Sequence, residues 1–148
     1  MSKTYTGGCH CGAFRYEVEL DLSSKMATKC NCSFCLKSNF LTLPVPGDGS
    51  QFKLLSPKSL DEVGDYKFGS KKGSHFYCKE CSICLINKPP FPIELPGSGG
   101  KISMFINAVT LDQGQDVDLR KFKIMYWDGK ENNWAAGLKE EPYSGGCY

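Results

Sequence analysis

The 148-residue chain has no apolar run long enough to cross a bilayer, and Met1-Ser2-Lys3-Thr4-Tyr5 lacks the apolar stretch of a signal peptide. These absences set aside membrane insertion and secretion and point to the cytoplasm. Internal repeats and linkers are missing as well, so one domain over residues 1–148 is expected, long enough to bury a core although rich in glycine and proline. Blocks of basic residues are lacking beyond short lysine pairs, and the formal charge is only +2, so a general nucleic-acid binder is not implied. Helical periodicity is scarce.

What the chain does have is cysteine, nine in all. Seven fall into three clusters: Cys9-His10-Cys11, Cys30-Asn31-Cys32-Ser33-Phe34-Cys35 and Cys78-Lys79-Glu80-Cys81. A closed tetrahedral zinc site uses four protein ligands, whereas a zinc that does chemistry keeps one position open and takes three. Seven cysteines divide accordingly. Cys30, Cys32 and Cys35 form a compact run in which one tight turn aims three sulfurs at one ion, a candidate open and catalytic site. Cys9 and Cys11 with Cys78 and Cys81 would join distant segments on a second, closed and structural site. Disulfides are the competing reading, and the C-x-C spacing disfavours them because residues two apart rarely reach disulfide geometry without strain. In the reducing cytosol, cysteine clusters hold metal more often than disulfides. Loading two Zn²⁺ ions on seven thiolates would bring the chain to a net charge of about −1.

The rest of the chain reads as mainly β. Phe14, Tyr16, Val18 and Leu20 alternate with Arg15, Glu17 and Glu19, the period of a half-buried strand. Segments 40–45, 51–55, 66–68, 75–77 and 101–106 read as further strands between Gly, Pro, Asp and Ser punctuation. Residues 59–63 and 109–112 each suit a single helical turn, too short for a stable amphipathic helix. The Pro-rich stretch 88–97 is read as a stiff loop shaping a pocket rather than a polyproline ligand.

Gly8-Cys9-His10-Cys11-Gly12-Ala13-Phe14-Arg15-Tyr16, then residues 30–37, then His75-Phe76-Tyr77-Cys78-Lys79-Glu80-Cys81 resemble the glutathione-dependent formaldehyde-activating enzyme and centromere protein V family. The motifs span about residues 5 to 110, and Tyr126-Trp127-Asp128-Gly129-Lys130 with Asn132-Asn133-Trp134 resembles the tail of small members. The resemblance implies a β-tent fold, a structural zinc on Cys9, Cys11, Cys78 and Cys81, and a more labile catalytic zinc on Cys30, Cys32 and Cys35. It implies glutathione as cosubstrate and a carbon–sulfur lyase that joins formaldehyde to glutathione as S-hydroxymethylglutathione, or handles another thiol adduct. Three thiolates leave such a zinc unit at about −1, which favours delivery of a thiolate over strong carbonyl activation. The centromere-protein branch leaves a second class open, a non-catalytic zinc module that binds a protein or polymer. A compact chain without a basic interaction segment favours the enzyme, with a small thiol or aldehyde as partner.

Substrate selection should come from residues around the three-cysteine loop. Lys29 and Lys37 flank it and Lys71 and Lys72 lie in a glycine-bounded turn, cations suited to the carboxylates of glutathione, although lysines are ordinarily just solvated. Phe34, Phe40, Trp127 and Trp134 read either as pocket walls or as core. His75 is the better acid–base candidate of the two histidines because histidine titrates near neutrality, with a structural role as the commoner alternative. One departure from the family pattern is Ser82, where a glycine commonly follows the last ligand. Cys84 reads as a small buried hydrophobe, or as an exchanging or redox-active thiol. Cys147 reads as an exposed thiol in a flexible tail.

Overall fold

The structure, a computed structural model, describes residues 1–95 and 98–145. Ten strands and one short helix follow in the order β1 (Lys3–Gly8), β2 (Arg15–Leu20), β3 (Met26–Cys30), α1 (Ser33–Ser38), β4 (Thr42–Pro46), β5 (Phe52–Ser56), β6 (Gly64–Tyr66), β7 (Ser74–Tyr77), β8 (Cys84–Lys88), β9 (Ile102–Asn107) and β10 (Lys123–Trp127). The fold is mainly β, as the alternation predicts. The strands form a three-stranded sheet in the order β1-β2-β5 and a seven-stranded sheet in the order β10-β3-β4-β9-β8-β7-β6. All pairings are antiparallel except β10 with β3, where Trp127 lies in register with Cys30.

Burial follows the patterning. Tyr16, Val18 and Leu20 on β2 turn inward, with Arg15, Glu17 and Glu19 on the other face, and they join Leu43, Val45, Leu85, Ile86 and Ile106 in one core cluster between the sheets. β9 is buried almost throughout because it is a central strand between β4 and β8. Its last residue, Asn107, is a buried polar group with partners: Oδ1 accepts from the Leu41 amide at 3.2 Å and Nδ2 donates to the Cys84 carbonyl at 2.9 Å. The Arg15 guanidinium donates to Asp112 Oδ1 at 2.8 Å, and the Thr6 hydroxyl donates to Asp112 Oδ2 at 2.6 Å. These bonds tie the β1-β2 hairpin to the chain that leaves β9.

The expected turn at 59–63 is a 3-10 turn, Leu60–Glu62, closed by a capping box between Ser59 and Glu62. The turn expected at 109–112 lies at Ala108–Thr110. Segments 40–45 and 66–68 are displaced by about a strand end, into β4 and β6. β1, β3, β8 and β10 carry no clean alternation and were not expected. The chain after β8 runs as an irregular loop with one β-bridge, Ile93 to Ile102.

Tyr16 is fully buried, with its hydroxyl 2.7 Å from Thr110 Oγ1, which itself donates to the Asn107 carbonyl at 2.7 Å. Tyr16→Phe should cost about 1–2 kcal/mol in denaturant unfolding, because it leaves buried hydrogen-bonding capacity on Thr110 unmet.

Candidate active site

The four outer cysteines come from two hairpins of different sheets. Cys9 and Cys11 lie in the turn between β1 and β2, and Cys78 and Cys81 in the turn between β7 and β8. Each turn is a tight knuckle. The Phe14 amide donates to Cys9 Sγ at 3.3 Å, and the Cys78 carbonyl accepts from Ser82 at 2.8 Å. The knuckles end on residues with left-handed backbone, Gly12 at φ 85° and Ser82 at φ 67°. Glycine adopts that conformation without a Cβ clash, which is the physical reason a glycine suits position 82; serine adopts it at some cost. All four Sγ atoms lie within 4.8 Å of one another, with Cys9–Cys11 and Cys11–Cys78 at 3.6 Å. An ion holding four sulfurs at about 2.3 Å in a tetrahedron sets them about 3.8 Å apart, so this cluster could hold a metal ion such as zinc. Burial raises the Cys81 thiol, yet amide N–H groups of Cys11 and Ile83 and the neighbouring thiols outweigh it and bring it down to about 6.

Cys30, Cys32 and Cys35 form the second group, also with mutual Sγ separations within 4.8 Å. Cys30 ends β3, Cys32 caps α1, and Cys35 sits in its first turn. The Cys32 amide donates to Cys30 Sγ at 3.4 Å and the Cys35 amide to Cys32 Sγ at 3.4 Å. Thiol hydrogen bonds from Cys30 and Cys35 pull Cys32 down, while the bond to Cys32 pushes Cys30 up and the bonds to Cys30 and Cys32 push Cys35 up. The expected turn is a short helix, because three sulfurs spaced C-x-C-x-x-C converge when the second pair spans a helical first turn.

Two braces hold this loop. Asn31, 2% exposed, donates through Nδ2 to Asp128 Oδ1 at 2.9 Å and to the Ser144 carbonyl at 3.2 Å, and its Oδ1 accepts from the Lys130 amide at 2.9 Å. On the other side Phe34 packs on β6 and β7, with ring centroids 4.3 Å from His75 and 5.5 Å from Phe68. His75 is also 4.7 Å from Phe68, and its Nδ1 lies 2.9 Å from the Tyr66 carbonyl. A carbonyl only accepts, so Nδ1 carries the proton and Nε2 is the acceptor of the neutral ring.

A cavity of about 530 Å³ opens at Cys30, Cys32 and Cys35 and is also lined by His75, Asn87, Lys88, Glu94, Trp127 and Trp134, among others. Asn87 Oδ1 is buried and accepts no hydrogen bond among the described residues. Lys29 and Lys37 are not among the lining residues. Thr28 and Cys30 both line the cavity, and Lys29 between them takes the opposite face of β3, while Lys37 is exposed on the last turn of α1. Lys71 and Lys72 are exposed outside the lining too, although Gly73 and Ser74 belong to it. Phe40 is core, at 1% exposure, and Phe34 belongs to the aromatic brace. Cys84 opens β8, half-buried and in neither sulfur cluster, with its thiol raised by burial. Cys147 and residues 96–97 of the Pro-rich stretch lie outside the described residues.

Sequence reasoning missed Asn31, Asn87, Asp128 and Gly129. For Gly129 the signal lay in its place after Trp127-Asp128, but its function needs coordinates. A Cβ added there would sit 2.3 Å from Cys30 Sγ and 2.9 Å from Trp134 Cη2.

The family model of the glutathione-dependent formaldehyde-activating enzyme matches residues 4–126. Among solved structures, the chain is similar to the crystal structure of a Rhodobacter sphaeroides protein at 23% identity and a TM-score of 0.56, covering 78% of this chain and 92% of that one. That similarity concerns the fold. Among the described residues, no helix is long and apolar enough to cross a membrane.

Gly129→Ala should displace Cys30 Sγ or the Trp134 ring, weakening metal retention at the three-cysteine group about tenfold or more while costing about 1–3 kcal/mol of stability. Cobalt substitution, whose thiolate absorption reports the ligand set, checks the first effect, and thermal unfolding the second.

Proposed function

The chain belongs to the glutathione-dependent formaldehyde-activating enzyme family, and from that premise we propose that it is a zinc-dependent carbon–sulfur lyase, making and breaking the bond between a thiol such as glutathione and an aldehyde carbon. The observation that carries this reading is a cavity of about 530 Å³ that meets a three-sulfur group, the ligand number of an open site, while the other four sulfurs form a closed one. A zinc held by Cys30, Cys32 and Cys35 would supply an open position for a thiol and lower that thiol's pKa. Cys9, Cys11, Cys78 and Cys81 serve a structural zinc that stitches the two hairpins.

In the forward direction the thiol sulfur attacks the carbonyl carbon. A carbon–sulfur bond forms, the carbonyl π pair moves to oxygen, and oxygen takes the proton lost by the thiol. Cleavage is the reverse, and no oxidant or reductant takes part. His75 lines the cavity, and the Nε2 acceptor of its neutral ring would carry that proton. Asn87 Oδ1 offers a buried acceptor for an amide N–H or ammonium of the thiol's carrier, and the exposed Lys88 and Glu94 supply one charge of each sign at the cavity edge. Such a set suits a zwitterionic thiol peptide. Lys88 takes the part that the sequence suggested for Lys29 and Lys37. Thiolate chemistry of this kind belongs in a reducing compartment, the cytoplasm.

Magnetisation exchange between free glutathione and its formaldehyde hemithioacetal, followed by NMR, tests the reading. The wild-type protein should speed the exchange above the spontaneous rate. Cys32→Ser should abolish that acceleration with a circular dichroism spectrum like the wild type, whereas Cys9→Ser or Cys81→Ser should lower the melting temperature by about 10 °C or more. Equal destabilisation by all three substitutions would overturn the division into an open and a closed site.

A further inference from the structure

One part of the cavity is more apolar than either a one-carbon aldehyde or the polar carrier thiol needs. Beyond the cysteines and the polar edge, its lining includes Phe105, Ile93, Leu95 and both tryptophans of the chain. The Trp127 and Trp134 rings lie 5.7 Å apart between centroids at an interplanar angle of 58°. Two rings so tilted form a corner that offers a face and an edge, which a third ring completes by stacking or edge-to-face contact. The corner adjoins the sulfurs: Cys30 Sγ and Trp134 Cη2 flank one point, 2.3 and 2.9 Å from the place a Gly129 Cβ would occupy. The indole corner therefore lies beside the three-cysteine group. Apart from the three cysteines, the charged residues of the described lining, Lys88 and Glu94, are both exposed.

We propose that the carbon partner is an aromatic or comparably bulky apolar aldehyde, handled as its hemithioacetal with the carrier thiol, and that Trp127 and Trp134 are the residues that select it. This rests on the thiol–aldehyde reading above and names its substrate class. The bond changes are those already given: the sulfur adds to the carbonyl carbon and the oxygen takes the thiol proton. A one-carbon partner would leave the apolar bay to water, whereas a ring would exchange that water for indole contact.

The test uses the metal-loaded full-length protein and its own tryptophan fluorescence, which reports on this cavity because both tryptophans line it. S-methylglutathione, S-benzylglutathione and S-benzylcysteine are titrated separately as stable stand-ins for the adduct. S-benzylglutathione should bind roughly 10- to 100-fold more tightly than S-methylglutathione, the worth of burying one ring. In Trp134→Ala, which keeps Trp127 as the reporter, that advantage should fall to a few-fold with S-methylglutathione affinity unchanged. Equal binding of the two glutathione conjugates by the wild type overturns the inference and leaves glutathione chemistry standing. Equal binding of S-benzylcysteine and S-benzylglutathione upholds the aromatic bay but removes glutathione as the carrier. Binding of none of the three overturns the inference and the thiol reading together.

Discussion

Four sulfurs from two separate hairpins meet within 4.8 Å, and the rest of the molecule is arranged around that meeting. Four thiolates at such spacing would repel one another, and a cation held between them would turn that repulsion into a structural joint. With a cation bound, the β1-β2 hairpin of the small sheet would be fastened to the β7-β8 hairpin of the large one, adding to the Arg15–Asp112 and Tyr16–Thr110 contacts that already hold it. β7 carries His75 and β8 carries Asn87 and Lys88. Anything that fixes the β7-β8 hairpin therefore fixes one wall of the cavity.

The three-cysteine loop depends on different supports. Its backbone is gripped through Asn31 by residues of the C-terminal tail, and its helix leans through Phe34 on β6 and β7. The polar grip reaches into the stretch beyond the family match, which ends at residue 126, and the same stretch supplies Trp127 and Trp134 to the cavity and packs Gly129 against Cys30. The cysteines and the aliphatic part of the cavity lining lie within the matched segment, and the two tryptophans of the lining lie beyond it.

Much of this was legible in residue order. The alternation of β2 and the turn chemistry of Ser59 and Glu62 act locally, so each is visible in a short window. The grouping of cysteines followed from ligand number and spacing, and the sulfur positions are compatible with it. Contacts between residues far apart in sequence were hidden. Asn31 and Asp128 show no pattern that pairs them, and β10 against β3 is a parallel edge pairing of a strand without alternation. Lys29 looked suited to substrate because it adjoins Cys30, yet in a strand the neighbour of an inward residue faces outward. Ser82 shows the reverse case, a residue whose departure from glycine was visible in sequence while its reason, a left-handed backbone, was not.

The central claim is that one group of cysteines holds a structural ion and the other an exchangeable one. Elemental analysis of purified protein before and after mild chelation tests it, with unfolding and glutathione binding by calorimetry followed on the same samples. Two zincs per chain are expected, one removed easily with loss of glutathione heat and little change in fold, the other released only on unfolding. A single zinc per chain, or two that leave together as the protein unfolds, would contradict the account.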